Sequence, residues 1–138
     1  MNRSVLVDSG PLVALLSKND SRHHDCVKAI ETLGPPLLTS WPVMTEVAWL
    51  LRAHPTALEK LFTAVEVDFL KILELDRRFL GWAKVFLKKY HDIEAQLADA
   101  TLVYLAEREK IEVVFTLDQR DFSIYRTSRN RVFKTLPD

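Results

Sequence analysis

Val5-Leu6-Val7-Asp8-Ser9-Gly10-Pro11 is the stretch that decides the fold class. Three apolar residues, two of them β-branched, run with no polar alternation, the pattern of a strand covered on both faces in a parallel sheet. A carboxylate ends the run, and Ser9-Gly10-Pro11 turns the chain into the apolar segment Leu12 to Leu16. The rest of the chain repeats this strand-then-helix rhythm. Asn19-Asp20-Ser21 supplies a break and an N-cap, and His24, Val27, Ile30 and Leu33 then line one side of a helix that Gly34-Pro35-Pro36 ends. Leu37-Leu38-Thr39 is a second short strand, with Ser40 as N-cap and Pro42 in the first turn of a helix striped by Val43, Val47 and Leu50. Pro55 separates it from a helix carrying Leu58, Leu61, Phe62 and Val65.

Phe69 to Leu75 is predicted as a strand, and Asp76 caps a helix through Tyr90 with Phe79, Ala83 and Phe86 on one face. One helix is expected from Ile93 to Glu109, striped by Ala95, Ala98, Leu102, Leu105 and Ala106. Glu112 to Thr116 and Val132 to Thr135 are the last predicted strands. Alternating strands and helices imply an α/β fold with a mostly parallel sheet covered on both faces. At 138 residues the chain is read as one domain, 1–138.

Composition excludes several classes. An apolar fraction of 48% with 28% charged residues is that of a globular protein with a real core. The single cysteine, Cys26, has no internal disulfide partner, which favours a reducing compartment. The apolar opening is too short for a signal-peptide core, and no run approaches a membrane span, so a cytoplasmic location is expected. The formal charge is zero, with 19 basic and 19 acidic residues, which argues against nonspecific coating of nucleic acid. Local excesses exist nonetheless. Residues 77–90 hold Arg77, Arg78, Lys84, Lys88 and Lys89 with no acid, and residues 119–138 hold five basic residues against two acids.

The acids carry the functional signal. Asp8 and Asp118 fall at or just past strand ends, where ligands sit in parallel α/β sheets. Asp99 shares the helix stripe of Ala95, Leu102, Val103 and Ala106, so a carboxylate stands on the buried side. Glu46 flanks the Val43, Val47 and Leu50 stripe. Each has a plainer reading: Asp8 as a helix N-cap, Asp99 as a buried ion-pair partner, Glu46 as an exposed helix residue, and Asp118 as an Asx-turn. Converging carboxylates repel unless a cation lies between them, and oxygen ligands without Cys or His select Mg²⁺ or Mn²⁺ over zinc. Such ions clamp phosphate oxygens and acidify a bound water, the needs of phosphodiester hydrolysis.

Four segments bear a resemblance: Val5 to Leu16 (VLVDSGPLVALL), Thr45 to Leu51 (TEVAWLL), Leu97 to Ala106 (LADATLVYLA) and Phe115 to Phe122 (FTLDQRDF). In this order they resemble the motifs of PIN domains, most closely the VapC-type toxins of toxin–antitoxin pairs. The resemblance spans nearly the whole chain. It implies a three-layer α/β/α sandwich, Mg²⁺-dependent endoribonuclease activity with Mn²⁺ as substitute, 5′-phosphate and 3′-hydroxyl ends, a cognate antitoxin and a homodimer. It places the catalytic and metal-binding acids at Asp8, Glu46, Asp99 and Asp118, with Asp121, Thr116 and Ser9 as secondary positions. In the expected division of labour Asp8 and Asp99 hold the principal ion, Glu46 orients water, and Asp118 with Asp121 completes the site. Arg120 and the 77–90 stretch are the expected contacts to the RNA backbone.

Other features are weaker. His23-His24-Asp25-Cys26 looks metal-like, but His24 and Cys26 diverge by about 200° on a helix. Trp41, Trp49 and Trp82 are assigned to packing rather than to base stacking. No phosphate-cradling glycine motif occurs. A catalytically idle PIN fold used for binding, and a nuclease directed at DNA, stay open as alternatives.

Overall fold

The structure, a computed structural model, describes residues 4–137. Val5–Val7 forms β1, and none of its three residues is more than 5% exposed, as a strand covered on both faces requires. Helix α1 (Ser9–Leu16) follows at once, then α2 (His23–Ile30), β2 (Leu37–Thr39), α3 (Trp41–Leu50), α4 (Pro55–Glu66) and β3 (Leu70–Ile72). Helix α5 (Arg78–Lys89), a 3-10 turn (His91–Ile93), α6 (Leu97–Glu109), β4 (Val113–Phe115), α7 (Gln119–Ile124) and β5 (Lys134–Leu136) complete the order. The five strands pair in parallel throughout, in the order β3-β2-β1-β4-β5, as the centre of an α/β/α sandwich. The chain steps outward from β1 to β3, then returns to lay β4 on the other side of β1. The order therefore reverses between β1 and β4, and a crevice opens beyond their carboxyl ends. No helix among the described residues is long and apolar enough to cross a membrane.

Local chemistry explains most boundaries. Ser40 accepts from the Val43 amide at 3.4 Å and caps α3, with Pro42 in the first turn. Pro55 opens α4, and Asp76 Oδ1 takes the Arg78 amide at 2.9 Å where α5 begins. The core gathers Leu6, Leu37, Val47, Leu61, Leu70, Leu105, Phe115 and Phe122, all essentially inaccessible.

Several expectations shift. The helix expected from Ile93 is broken: Glu94 takes a left-handed conformation (φ 56°), so α6 begins at Leu97 and Ala95 lies outside it. Nor is α6 a striped helix. From Ala98 to Ala106 it is buried all round, except at Asp99. The α3 stripe runs through Val43, Met44 and Val47 to Leu51, leaving Leu50 exposed, and in α4 Phe62 likewise faces outward. In α2 the inward residue is Cys26 and His24 is exposed; Arg22, not a residue of 19–21, precedes the helix, though Asp20 takes the Arg22 amide. β3 is shorter than Phe69 to Leu75 because its partner β2 offers three residues to pair. β5 starts at Lys134, opposite Val113, and Val132 is exposed. Helix α7 was not expected from the sequence.

Candidate functional site

The register of β1 and β4 builds the first part of the site. Val7 pairs with Phe115, and the Asp8 amide donates to the Phe115 carbonyl at 2.9 Å. Asp8 and Thr116 therefore leave the sheet side by side. The Thr116 hydroxyl donates to Asp8 Oδ2 at 2.9 Å and accepts from the Asp118 amide at 3.0 Å. The Ser9 amide donates to Asp8 Oδ1 at 2.8 Å, so Asp8 also caps α1. At Gly10 an added Cβ would lie 3.3 Å from Leu117 Cβ, tighter than an ordinary contact, so α1 seats closely against the Thr116–Asp118 segment.

The remaining acids arrive on helices. Asp118 caps α7 by accepting from the Asp121 amide at 3.4 Å, which sets Asp121 beside it. Asp99 lies in the first turn of α6, where Thr101 bonds to the Ser40 hydroxyl at 2.7 Å and ties α6 to the start of α3. From α3, Glu46 Oε1 accepts a hydrogen bond from the Ser9 hydroxyl. Asp8, Asp99, Asp118 and Asp121 thus all sit at helix N-termini, whose partial positive charge offsets part of their repulsion.

These residues line one cleft of about 460 Å³, with Ser9, Gly10, Glu46, Glu94, Gln96 and Leu117. Asp99, Asp118 and Asp121 form its tightest group, each offering a carboxylate oxygen within 4.8 Å of the others. Asp8 and Glu46 face the cleft outside that trio. Asp121, expected as a secondary acid, therefore stands in the densest part of the cluster, because the α7 cap holds it against Asp118. Arg120 is exposed on α7 and draws the Asp121 carboxyl down slightly; it makes no ion pair among the described residues. Among those residues, no lysine, arginine or histidine pairs with any of the five acids.

The electrostatics follow from burial and like charge. Burial pushes the Asp8 carboxyl up, against the Ser9 and Thr116 hydrogen bonds that favour its charged form; Glu46 and Asp118 push it further. Burial also raises Asp99, to about 7, with Asp8, Asp118 and Asp121 adding to it against the Tyr125 hydroxyl. Asp121 is raised by burial and by Asp118. Oxygen donors that range from buried Asp8 to exposed Asp118, repel one another and lack a paired cation among the described residues fit a hard divalent ion.

Three contributors escaped the sequence reading. Tyr125, fully buried, donates its hydroxyl to Asp99 Oδ2 at 2.7 Å. Its signal was its place just beyond Asp121 and Phe122, but no periodicity could aim it at a helix in mid-chain. Glu94 and Gln96 line the cleft because of the left-handed break before α6. The tempting features separate as well: Cys26 is buried while His23 bonds to the Ala14 carbonyl at 2.6 Å. Trp82 packs on Phe86 at 5.0 Å, whereas Trp41 and Trp49 are 55% and 63% exposed and do not belong to the core.

An all-parallel sheet with five carboxylates at its switch point defines an α/β protein with an acidic, cation-attracting centre. A PIN domain model matches residues 5–128, and the chain belongs to the PIN-domain family. No curated protein sequence matches it significantly. Among solved structures it is similar to VapC20 of Mycobacterium tuberculosis, a sarcin–ricin loop-cleaving toxin, at 21% identity and TM-score 0.70, over 80% of this chain and 87% of that one. It is also similar to a toxin–antitoxin complex from Klebsiella pneumoniae, at 18% identity and TM-score 0.69, over 87% and 91% of the two chains. At these identities the likeness shows a shared fold.

Proposed function

We propose that this chain is a divalent-metal-dependent endoribonuclease and the toxin of a toxin–antitoxin pair. The observation that carries the reading is the convergence of Asp8, Glu46, Asp99, Asp118 and Asp121 on one cleft at the β1/β4 switch point, with no paired cation among the described residues. Asp99, Asp118 and Asp121, with Asp8 beside them, would hold Mg²⁺ or Mn²⁺. When bound, such an ion supplies Lewis acidity toward a phosphodiester and lowers the pKa of water. The chain's own residues do the rest. Thr116 and the Ser9 amide favour the charged form of Asp8 and aim it; Glu46, steadied by Ser9, would orient the attacking water. Arg120 and the exposed lysines of α5, Lys84, Lys88 and Lys89, offer cations to an RNA backbone.

The nuclease-toxin reading draws support from the family and from the two structural neighbours, one of them a sarcin–ricin loop-cleaving toxin. The second neighbour, a toxin–antitoxin complex, supports the reading of an antitoxin partner. Exposed Trp41, Trp49 and Leu50 on α3 and Phe62 on α4 suit contact with a second protein surface, an antitoxin or another copy in a homodimer. Such a toxin works in the cytoplasm, on RNA.

The test is incubation of the purified protein with total cellular RNA, and separately with DNA, in Mg²⁺, Mn²⁺ or chelator, followed by mapping of the cut ends. Cleavage of RNA alone, dependent on metal and leaving 5′-phosphates, is expected. RNA and DNA both intact in every metal refute nuclease function, and cleavage of DNA alone redirects it to that substrate.

A further inference from the structure

Tyr125 is an expensive residue to bury, and its packing neighbours use only its ring. Its ring meets Phe86, Phe122 and Tyr90 at centroid distances of 5.1, 5.1 and 5.0 Å, two of the contacts edge-on. Phenylalanine would fill the same space. What tyrosine adds is one hydroxyl, and that hydroxyl donates to Asp99 Oδ2 at 2.7 Å. Among the described residues it is the one hydrogen-bond donor to the Asp99 side chain, whereas Asp8 has two. The aromatic clamp leaves the donor little freedom. Tyr90 completes the clamp, and its own hydroxyl oxygen accepts from the Arg126 amide at 3.0 Å.

We propose that Tyr125 is a positioning residue: its clamped hydroxyl fixes the Asp99 carboxylate in the orientation that meets Asp118 and Asp121 across the cleft, and so sets the affinity of the site for a divalent cation. Without that donor, Asp99 is free to turn about its Cβ–Cγ bond among three other carboxylates that repel it. The inference rests on the metal-site reading above, and its consequence is carried by one oxygen atom of a residue that does not line the cleft. Outer hydrogen-bond partners of this kind orient ligands and tune a metal site.

Calorimetric titration of Mn²⁺ into the metal-free wild type, Tyr125→Phe and Tyr90→Phe tests it. Tyr125→Phe is expected to bind about tenfold to a hundredfold more weakly, while Tyr90→Phe, which loses a hydroxyl in the same cluster, keeps wild-type affinity. Equal affinity in wild type and Tyr125→Phe overturns the inference, and so does an equal loss in Tyr90→Phe. A wild type that takes up no Mn²⁺ overturns the metal reading and this inference together. A second measurement needs no variant that must fold. The chain has three tyrosines, so ¹³Cζ-tyrosine labelling gives three lines. Mg²⁺ is expected to shift the Tyr125 line and leave that of Tyr104 in place; a stationary Tyr125 line contradicts the proposal.

Discussion

Thr116 donates its hydroxyl proton to Asp8 Oδ2 at 2.9 Å, although the two residues stand 108 positions apart. The bond exists because β1 and β4 pair in register, Val7 with Phe115, and both strands end one residue before the site. The Thr116 hydroxyl oxygen in turn accepts from the Asp118 amide at 3.0 Å, so one hydroxyl serves two acids. Thr116→Val keeps the shape and strips both bonds. It is expected to lower cleavage about tenfold to a hundredfold, and to cost roughly 1–3 kcal/mol of stability through the buried groups left unsatisfied. Thr116→Ser should restore both. A Val variant with wild-type cleavage removes Thr116 from the account.

Metal should stabilise the fold. Bringing Asp8, Asp99, Asp118 and Asp121 together strains the metal-free protein, and a cation that binds only the folded state draws the equilibrium back. Mass action gives about 2.7 kcal/mol at a hundredfold excess over the dissociation constant. A thermal melt in saturating Mn²⁺ should therefore shift upward, and chelator should reverse the shift. No shift means that the cluster holds no ion.

The pH dependence of the metal-free protein has a definite sign. Burial, with Asp8, Asp118 and Asp121, lifts Asp99 from an ordinary 3.8 to about 7. In that window the folded chain holds a proton that the unfolded chain has released, so stability falls as pH rises and levels off above about 7. Asp8, also raised by burial, contributes with the same sign. Denaturant midpoints recorded between about pH 5 and about pH 8 should decline, and Asp99→Asn should flatten part of the slope. A wild-type midpoint that climbs with pH contradicts the assignment.

Expression offers a cellular counterpart. A metal-dependent ribonuclease toxin should slow growth of a bacterial host, and a cationic peptide segment occupying the acidic cleft should relieve the block. Unimpaired growth at high levels of folded protein removes the toxin reading while leaving nuclease activity to be judged by the RNA assay.

Much of this was legible before any coordinates. Val5 to Val7 has the unbroken apolar character of a doubly covered strand, Leu37-Leu38 opens a second, and Asp8 is placed by the first of them. Ser40 and Pro42 mark the start of α3 through cap chemistry alone. What escaped depends on contacts between distant segments or on backbone conformations that residue type does not announce. Glu94 in a left-handed conformation ends the 3-10 turn and delays α6 to Leu97. The inward face of α3 passes to Leu51 rather than Leu50 because it is centred on Met44 and Val47, and Leu51, still bonded to the Val47 carbonyl, continues that face at helical spacing. Asp99 was singled out as a carboxylate on a buried stripe. In fact α6 is buried on all sides, and Asp99 marks the point where it reaches the cleft. Tyr125 and the promotion of Asp121 both depend on α7, a helix of six residues that periodicity cannot detect.

The measurement closest to the central claim is Mg²⁺-dependent RNA cleavage by Asp99→Asn beside the wild type, on preparations whose metal-free denaturant melts are known. Asp99 makes no ion pair among the described residues, so a neutral amide removes repulsion and strands no cation. The account predicts that cleavage is lost while the metal-free variant is as stable as the wild type or more so. Cleavage retained, with a loss of roughly 3–5 kcal/mol of the kind that follows from breaking a buried ion pair, would contradict it.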